Sequence, residues 1–191
     1  MPSEIKGQPV LRLGEEGKDG CGLNPYHFKE IVLPDHLEVI GEGAFSNVKW
    51  VETFVLPKSL VSIERMAFYN CMKLKQLELP EGLKTIGESA FIGCISLKQL
   101  ELPEGLEVIG GDAFWQTGIK EITIPATVNE LGGGILEIEQ VKFEGKKYNI
   151  VDGVVYKNDS ELIDCSRSKK GKLVIPSGIC LLYTSDAADE L

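Results

Sequence analysis

Apolar residues return along this chain in one fixed phrase, best preserved from Leu74 to Cys94 as LKQLELPEGLKTIGESAFIGC. Its first half, with Leu74, Leu77 and Leu79, alternates apolar and polar positions and predicts a short strand. Proline ends that strand because it donates no ladder hydrogen bond. The second half, with Ile86, Ala90, Phe91 and Cys94, turns a corner and is expected to contain one short helical turn that delivers Ala and Phe inward. The prolines after each strand fall at Pro34, Pro57, Pro80, Pro103 and Pro125, spacings of 23, 23, 23 and 22 residues. A period within about 20 to 29 residues predicts a solenoid whose units bury apolar surface only against their neighbours.

Four full units follow one another as Leu33 to Val55, Leu56 to Glu78, Leu79 to Glu101 and Leu102 to Thr123. Aligned, they form inward columns: Leu37, Leu60, Leu83, Leu106 and Val128; Ile40, Ile63, Ile86, Ile109 and Leu131; Phe45, Phe68, Phe91, Phe114 and Leu136. Neighbouring copies are expected to stack as parallel strands about 4.8 Å apart. The fold class expected is an α/β solenoid, a leucine-rich-repeat array with short parallel strands on one face and loops or short helical turns on the other.

Around this array the chain divides by composition. Residues 1–24 are glycine-rich with few apolar positions and are expected to form an edge or partial cap. The repeats occupy residues 25–143, with Phe28, Ile31 and Leu33 opening the first half-unit. Gly118 to Ile124 has lost one residue, and Gly132, Gly133 and Gly134 replace a Gly-Glu-Ser type segment. Residues 144–174 read as a β-hairpin insertion: Asp152-Gly153 is a turn dipeptide, and Val154 to Lys157 and Glu161 to Cys165 are short strands. Leu173, Ile175 and Pro176 restart the repeat, so residues 175–179 begin a further unit. Residues 180–191 break it again. Cys180 to Glu190, CLLYTSDAADE, resembles the translation of a transposon-end sequencing adapter and is expected to be non-native, the natural chain continuing past Ile179.

The net charge is −9, and −6 once Asp186, Asp189 and Glu190 of that tail are set aside. With no basic stripe, an acidic array of this kind is not expected to bind nucleic acid. No run of about 18 apolar residues predicts a membrane span, and the hydrophilic start lacks the apolar core of a leader.

Candidate chemistry is sparse. Cys71 and Cys94 share a column with Val48 and Thr117, which favours small buried core residues over a metal site or a disulfide. Cys21 and Cys165 have no CxxC partner, and no zinc spacing occurs. His27 and His36 lack a serine or cysteine placed as a nucleophile, and no GxSxG, HExxH or phosphate-loop motif is present. The chain is therefore expected to be no enzyme and to hold no cofactor or metal.

The LxLPxxLxxIxxxAFxxC unit at 23-residue spacing resembles the BspA-like (Treponema pallidum-type) leucine-rich repeat family, over Phe28 to Ile179. The segment from Tyr148 to Ile163 is similar to a hairpin insertion that recurs in that family before a repeat restarts. Val48 and Thr117 depart from the cysteine column, and Asp164-Cys165 stands where the family often has Tyr-Pro. The resemblance implies a bacterial or protist protein, secreted or surface-displayed, whose repeats engage host or extracellular-matrix proteins.

Two surfaces compete for that role. On the strand face, residues between the buried leucines point outward: Glu30 and Val32, Thr53 and Val55, Gln76 and Glu78, Gln99 and Glu101, Glu121 and Thr123, with Glu81 and Glu104 just after the prolines. Glu78 beside Glu101, and Glu81 beside Glu104, put like charges on adjacent rungs. Either a basic ligand rewards that cost, or Lys75 and Lys98 compensate and the acids only keep the face soluble. The other surface is the column Ser46, Tyr69, Ile92 and Trp115, read as packed against the next turn or as an apolar stripe for a partner. The ligand-binding residues expected are Thr53, Val55, Gln76, Glu78, Glu81, Gln99, Glu101, Glu104, Glu121 and Thr123, in a non-enzymatic protein-binding module at the cell surface or secreted. The alternatives are a cytoplasmic repeat scaffold, since no leader precedes the array, and an accessory repeat region of a larger enzyme.

Overall fold

Three of the four full repeats contribute two short strands rather than one, on either side of the corner that carries Ala and Phe. A computed structural model describes Glu4–Ile5, Gln8–Pro9, Arg12–Leu13, residues 29–165 and Leu181–Leu182. The repeats wind into a β-solenoid with two parallel ladders. One is continuous and six-stranded: Arg12–Leu13, Val39–Ile40, Ser62–Ile63, Thr85–Ile86, Val108–Ile109 and Glu130–Leu131 stack in exact repeat register. The other lies just before the prolines. It joins Glu30–Val32, Thr53–Val55 and Gln76–Leu77, breaks over residues 98–102, and resumes as Glu121–Ile124 paired with Gln140–Phe143.

Two expectations change here. Strands occupy two faces, not one, because two-residue strands such as Val39–Ile40 are too short for alternation to reveal them in sequence. The expected helical turns do not form either. The one helix among the described residues is a three-residue 3-10 turn, Ile135–Glu137. At the corners the amides of Phe45, Phe68 and Phe91 donate across rungs to the carbonyls of Ala67, Ala90 and Ala113, at 2.8, 2.8 and 2.9 Å, instead of back along their own turn. Left-handed residues at four-residue intervals, Met66 (φ 53°) and Asn70 (φ 57°) in one rung, also stop any right-handed helix from propagating.

The core is the sum of the inward columns. The leucine, isoleucine and alanine columns are buried throughout. Phe45, Phe68, Phe91 and Phe114 stack with centroids 5.4, 5.3 and 5.9 Å apart, and Phe54 fills the space beside the first two. Cys71 and Cys94 are buried, and each thiol donates to a carbonyl one rung back, Phe45 or Phe68, at 3.2 Å. A small weak donor suits this column, with valine filling the same volume at Val48.

Residues 148–165 form an antiparallel meander, Tyr148–Val151, Val154–Lys157 and Glu161–Cys165. Tyr148, Val155 and Ile163 join the core of the repeats, and the Asp164 carboxylate accepts a hydrogen bond from the Leu136 amide at 2.9 Å. The meander thus covers apolar surface of the array. Leu181–Leu182 pairs in parallel with Glu161 and Leu162. The rest of the partial cap, Cys21, His27, Phe28, the restart at Leu173 to Pro176 and the remainder of the tail lie outside the described residues.

Burial pushes the Tyr148 phenol up to about 12, aided by the Glu161 and Glu130 carboxylates. The fold therefore favours the neutral phenol. That contribution is complete below the ordinary value of 10 and is lost as pH rises toward 12. A two-unit rise corresponds to about 2.7 kcal/mol at most. Comparing urea midpoints at pH 9.5 and 11.5, where only part of that difference is expressed, Tyr148→Phe should lose up to about 1.7 kcal/mol less stability than the unaltered chain, whereas parallel losses would show that Tyr148 ionises freely.

Candidate functional site

Strand alternation and ladder register place the outward residues in straight columns across the rungs. One runs Glu30, Thr53, Gln76 and, in the resumed ladder, Glu121 to Gln140. The next runs Val32, Val55 and, after Leu77, Glu78, with Thr123 beside Lys142 further along. Val55, Gln76, Glu78, Glu81, Gln99, Glu101, Glu104, Glu121 and Thr123 are all exposed, and Thr53 is half-buried. The inward neighbours Phe54, Leu77, Leu100 and Ile122 are buried beneath them. Apolar residues mark one end of this face, where Val32 and Val55 are 55% and 43% exposed, and carboxylates fill its middle.

The charges on the two faces are arranged differently. Over the continuous ladder, opposite charges one period apart pair: Arg65 reaches Glu42 at 2.7 Å and Glu88 at 3.8 Å, and Lys84 reaches Glu107 at 2.8 Å, while Arg12 forks onto Glu64 from two rungs away. Hydrogen bonding to Glu42 is the main cause that raises the Arg65 pKa. On the interrupted ladder's side Lys75 pairs with Glu52 at 2.7 Å and holds that carboxyl below its usual value. Lys142 pairs with Glu121, and Lys120 with Glu139 at 3.3 Å. Among the described residues no lysine or arginine lies within ion-pair distance of Glu78, Glu81, Glu101 or Glu104. Lys75 is committed to Glu52, so it does not neutralise the acids of its own face. This contrast was legible in principle, since the paired and unpaired residues all recur at 23-residue intervals: Glu42, Arg65 and Glu88 alternate in sign, while Glu78 and Glu101 do not.

Where the ladder breaks, an open cleft of about 800 Å³ lies between residues 98–102 and Glu121–Ile124. Gln99, Glu101, Glu104, Lys120, Thr123 and Glu144 line it, with Leu100 and Ile122 between them. The shortened repeat step follows directly after this break. Gly118 sits so close to the preceding rung that an added Cβ would fall 2.6 Å from the Ile95 carbonyl oxygen, while the Phe91–Phe114 spacing opens to 5.9 Å.

The second surface considered from sequence is no free apolar stripe. Ile92 is buried, and Ser46, Tyr69 and Trp115 are half-buried, so the column packs between rungs. His36 is exposed on the surface. Among the described residues no three His, Cys, Asp or Glu side chains are grouped to hold a metal ion, and no helix is long and apolar enough to cross a membrane.

Comparison with known proteins agrees with this geometry. The chain is similar to the crystal structure of a T. pallidum leucine-rich repeat protein, TpLRR, with TM-score 0.66 and 28% identity over 75% of this chain and 69% of that one. It is similar to a leucine-rich repeat protein from Bacteroides ovatus, with TM-score 0.55 and 32% identity over 59% of this chain and 33% of that one. It is also similar to the pneumococcal vaccine antigen PcpA, with TM-score 0.65 and 25% identity over 85% of this chain and 45% of that one. The chain thus spans less than half the length of the latter two. Among curated proteins no significant sequence relative is found. A model described as the BspA type leucine rich repeat region matches in six copies across residues 23–150, and on that match this chain belongs to the BspA-type leucine-rich repeat family.

Proposed function

We propose that this chain is a non-enzymatic protein-binding module of a secreted or surface-displayed protein, and that it binds through the face of the interrupted ladder. One observation carries the reading. The inward columns repeat nearly unchanged from rung to rung, while the outward residues of this face change along the array, from Val55 through Glu78 and Glu101 to Thr123. Packing accounts for the first and places no demand on the second. The uncompensated Glu78 and Glu101 separate this face from the neutralised one, and the likeness to a vaccine antigen accords with an extracellular location.

Surface plasmon resonance of the whole chain against a panel of purified extracellular-matrix proteins tests this. At least one is expected to bind, and Glu78→Lys/Glu101→Lys should weaken it about tenfold or more, the effect expected of residues at an interface centre. Glu38→Lys/Glu130→Lys, which makes the same charge change beside the other ladder, should leave it within about threefold. A loss confined to the second variant would assign binding to the other face.

A further inference from the structure

We propose that the cleft beside residues 98–102 receives an extended, lysine- or arginine-bearing segment of the partner protein, held by main-chain hydrogen bonds as well as by charge. This rests on reading the interrupted ladder's face as the protein-binding surface. Three observations converge on this occupant.

The backbone is open there. In neighbouring rungs the equivalent amides are committed across the array, Thr53 to Lys29 at 3.1 Å, Lys75 to Glu52 at 2.9 Å and Gln140 to Lys120 at 2.9 Å. From Lys98 to Leu102 no backbone group bonds to the rung on either side. A five-residue extended stretch, about 17 Å long, therefore presents donors and acceptors at strand spacing. Open groups of this kind can exchange main-chain hydrogen bonds with an extended segment laid along them.

The cleft has volume for one. Its roughly 800 Å³ opens along this rung, and the buried side chains of Leu100 and Ile122 separate its outward residues.

The charge selects the partner. Glu101, Glu104 and Glu144 line the cleft without ion-pair partners, while Lys120 and Glu121 are taken up by Glu139 and Lys142. Lys98 is the one cation left to oppose them among the lining residues. Among the described residues no three carboxylates are grouped to hold a metal ion. An extended strand presents alternate side chains about 6.8 Å apart, so successive cationic groups on it reach different carboxylates.

The test uses the whole chain and a ten-residue peptide alternating lysine and threonine, with glutamate-threonine and serine-threonine peptides of the same length, by fluorescence anisotropy at physiological salt. The lysine peptide alone is expected to bind. Glu101→Gln/Glu104→Gln should raise its Kd about tenfold, and Glu38→Gln/Glu130→Gln less than threefold. Methylating alternate amide nitrogens along one edge of the peptide keeps its charge and should raise Kd about tenfold as well. Equal effects of the two double variants would mean diffuse attraction to an acidic chain and would overturn the site. Unchanged affinity of the methylated peptide would overturn the main-chain component. If matrix proteins still bind in a manner sensitive to Glu78 and Glu101 while the lysine peptide does not bind at all, the protein-binding face stands and this occupant is wrong.

Discussion

Phe91→Ala should lower stability by about 3–5 kcal/mol, among the largest losses expected from any single truncation in the array. Phe91 is completely buried, and its ring lies nearly parallel to Phe68 at 5.3 Å and to Phe114 at 5.9 Å. Truncation removes the apolar transfer gain, and the rungs cannot close over the void because ladder hydrogen bonds hold their spacing. A solenoid is stabilised mainly by interfaces between successive units, so a central ring contributes to two of them. The change should therefore loosen cooperativity as well as stability. In urea unfolding, both midpoint and slope should fall, with the slope marking a molecule that no longer unfolds as one unit. Phe114→Ala, which loses one stacking partner of this kind, should cost less. An equal loss with unchanged slope in both variants would show that the rings act independently.

Gly110→Ala should destabilise by about 1–3 kcal/mol, although adding a methyl group at an ordinary glycine is often favourable. A Cβ there would fall 2.3 Å from the Glu88 nitrogen and 2.6 Å from the Gly87 carbonyl carbon. Both are main chain of the previous rung, so no rotamer relieves the clash. The rung cannot retreat either, because the Gly110 amide donates to the Ile86 carbonyl at 2.8 Å. Close approach, not a special backbone angle, demands glycine here. The adjacent Gly111 is the internal control: its Cβ would meet nothing nearer than 4.0 Å, and Gly111→Ala should be neutral or stabilising by up to about 1 kcal/mol. Thermal unfolding of the two variants side by side reads the difference, and similar midpoints would contradict the packing argument.

Much of this was visible in the chain before any fold was known. Proline spacing announced the array, and the leucine, isoleucine and phenylalanine columns named the core, because a repeated inward position can only be explained by repeated burial. The second ladder was not visible. A strand such as Thr85–Ile86 is two residues long, and its existence depends on the rungs above and below it. The helical corner failed for the same reason, since Phe68 has a better hydrogen-bond acceptor in the next rung than in its own turn. The column of Tyr69, Ile92 and Trp115 looked like a possible surface because aromatic and aliphatic side chains do not declare which side of a turn they occupy.

Sequence alone therefore determined the period, the family resemblance and which residues face inward, all of which are local patterns multiplied by repetition. Only the tertiary structure decided where the ladder breaks, which carboxylates are left without partners and where the backbone stays open. Those properties belong to the spacing of whole rungs, which no single motif records.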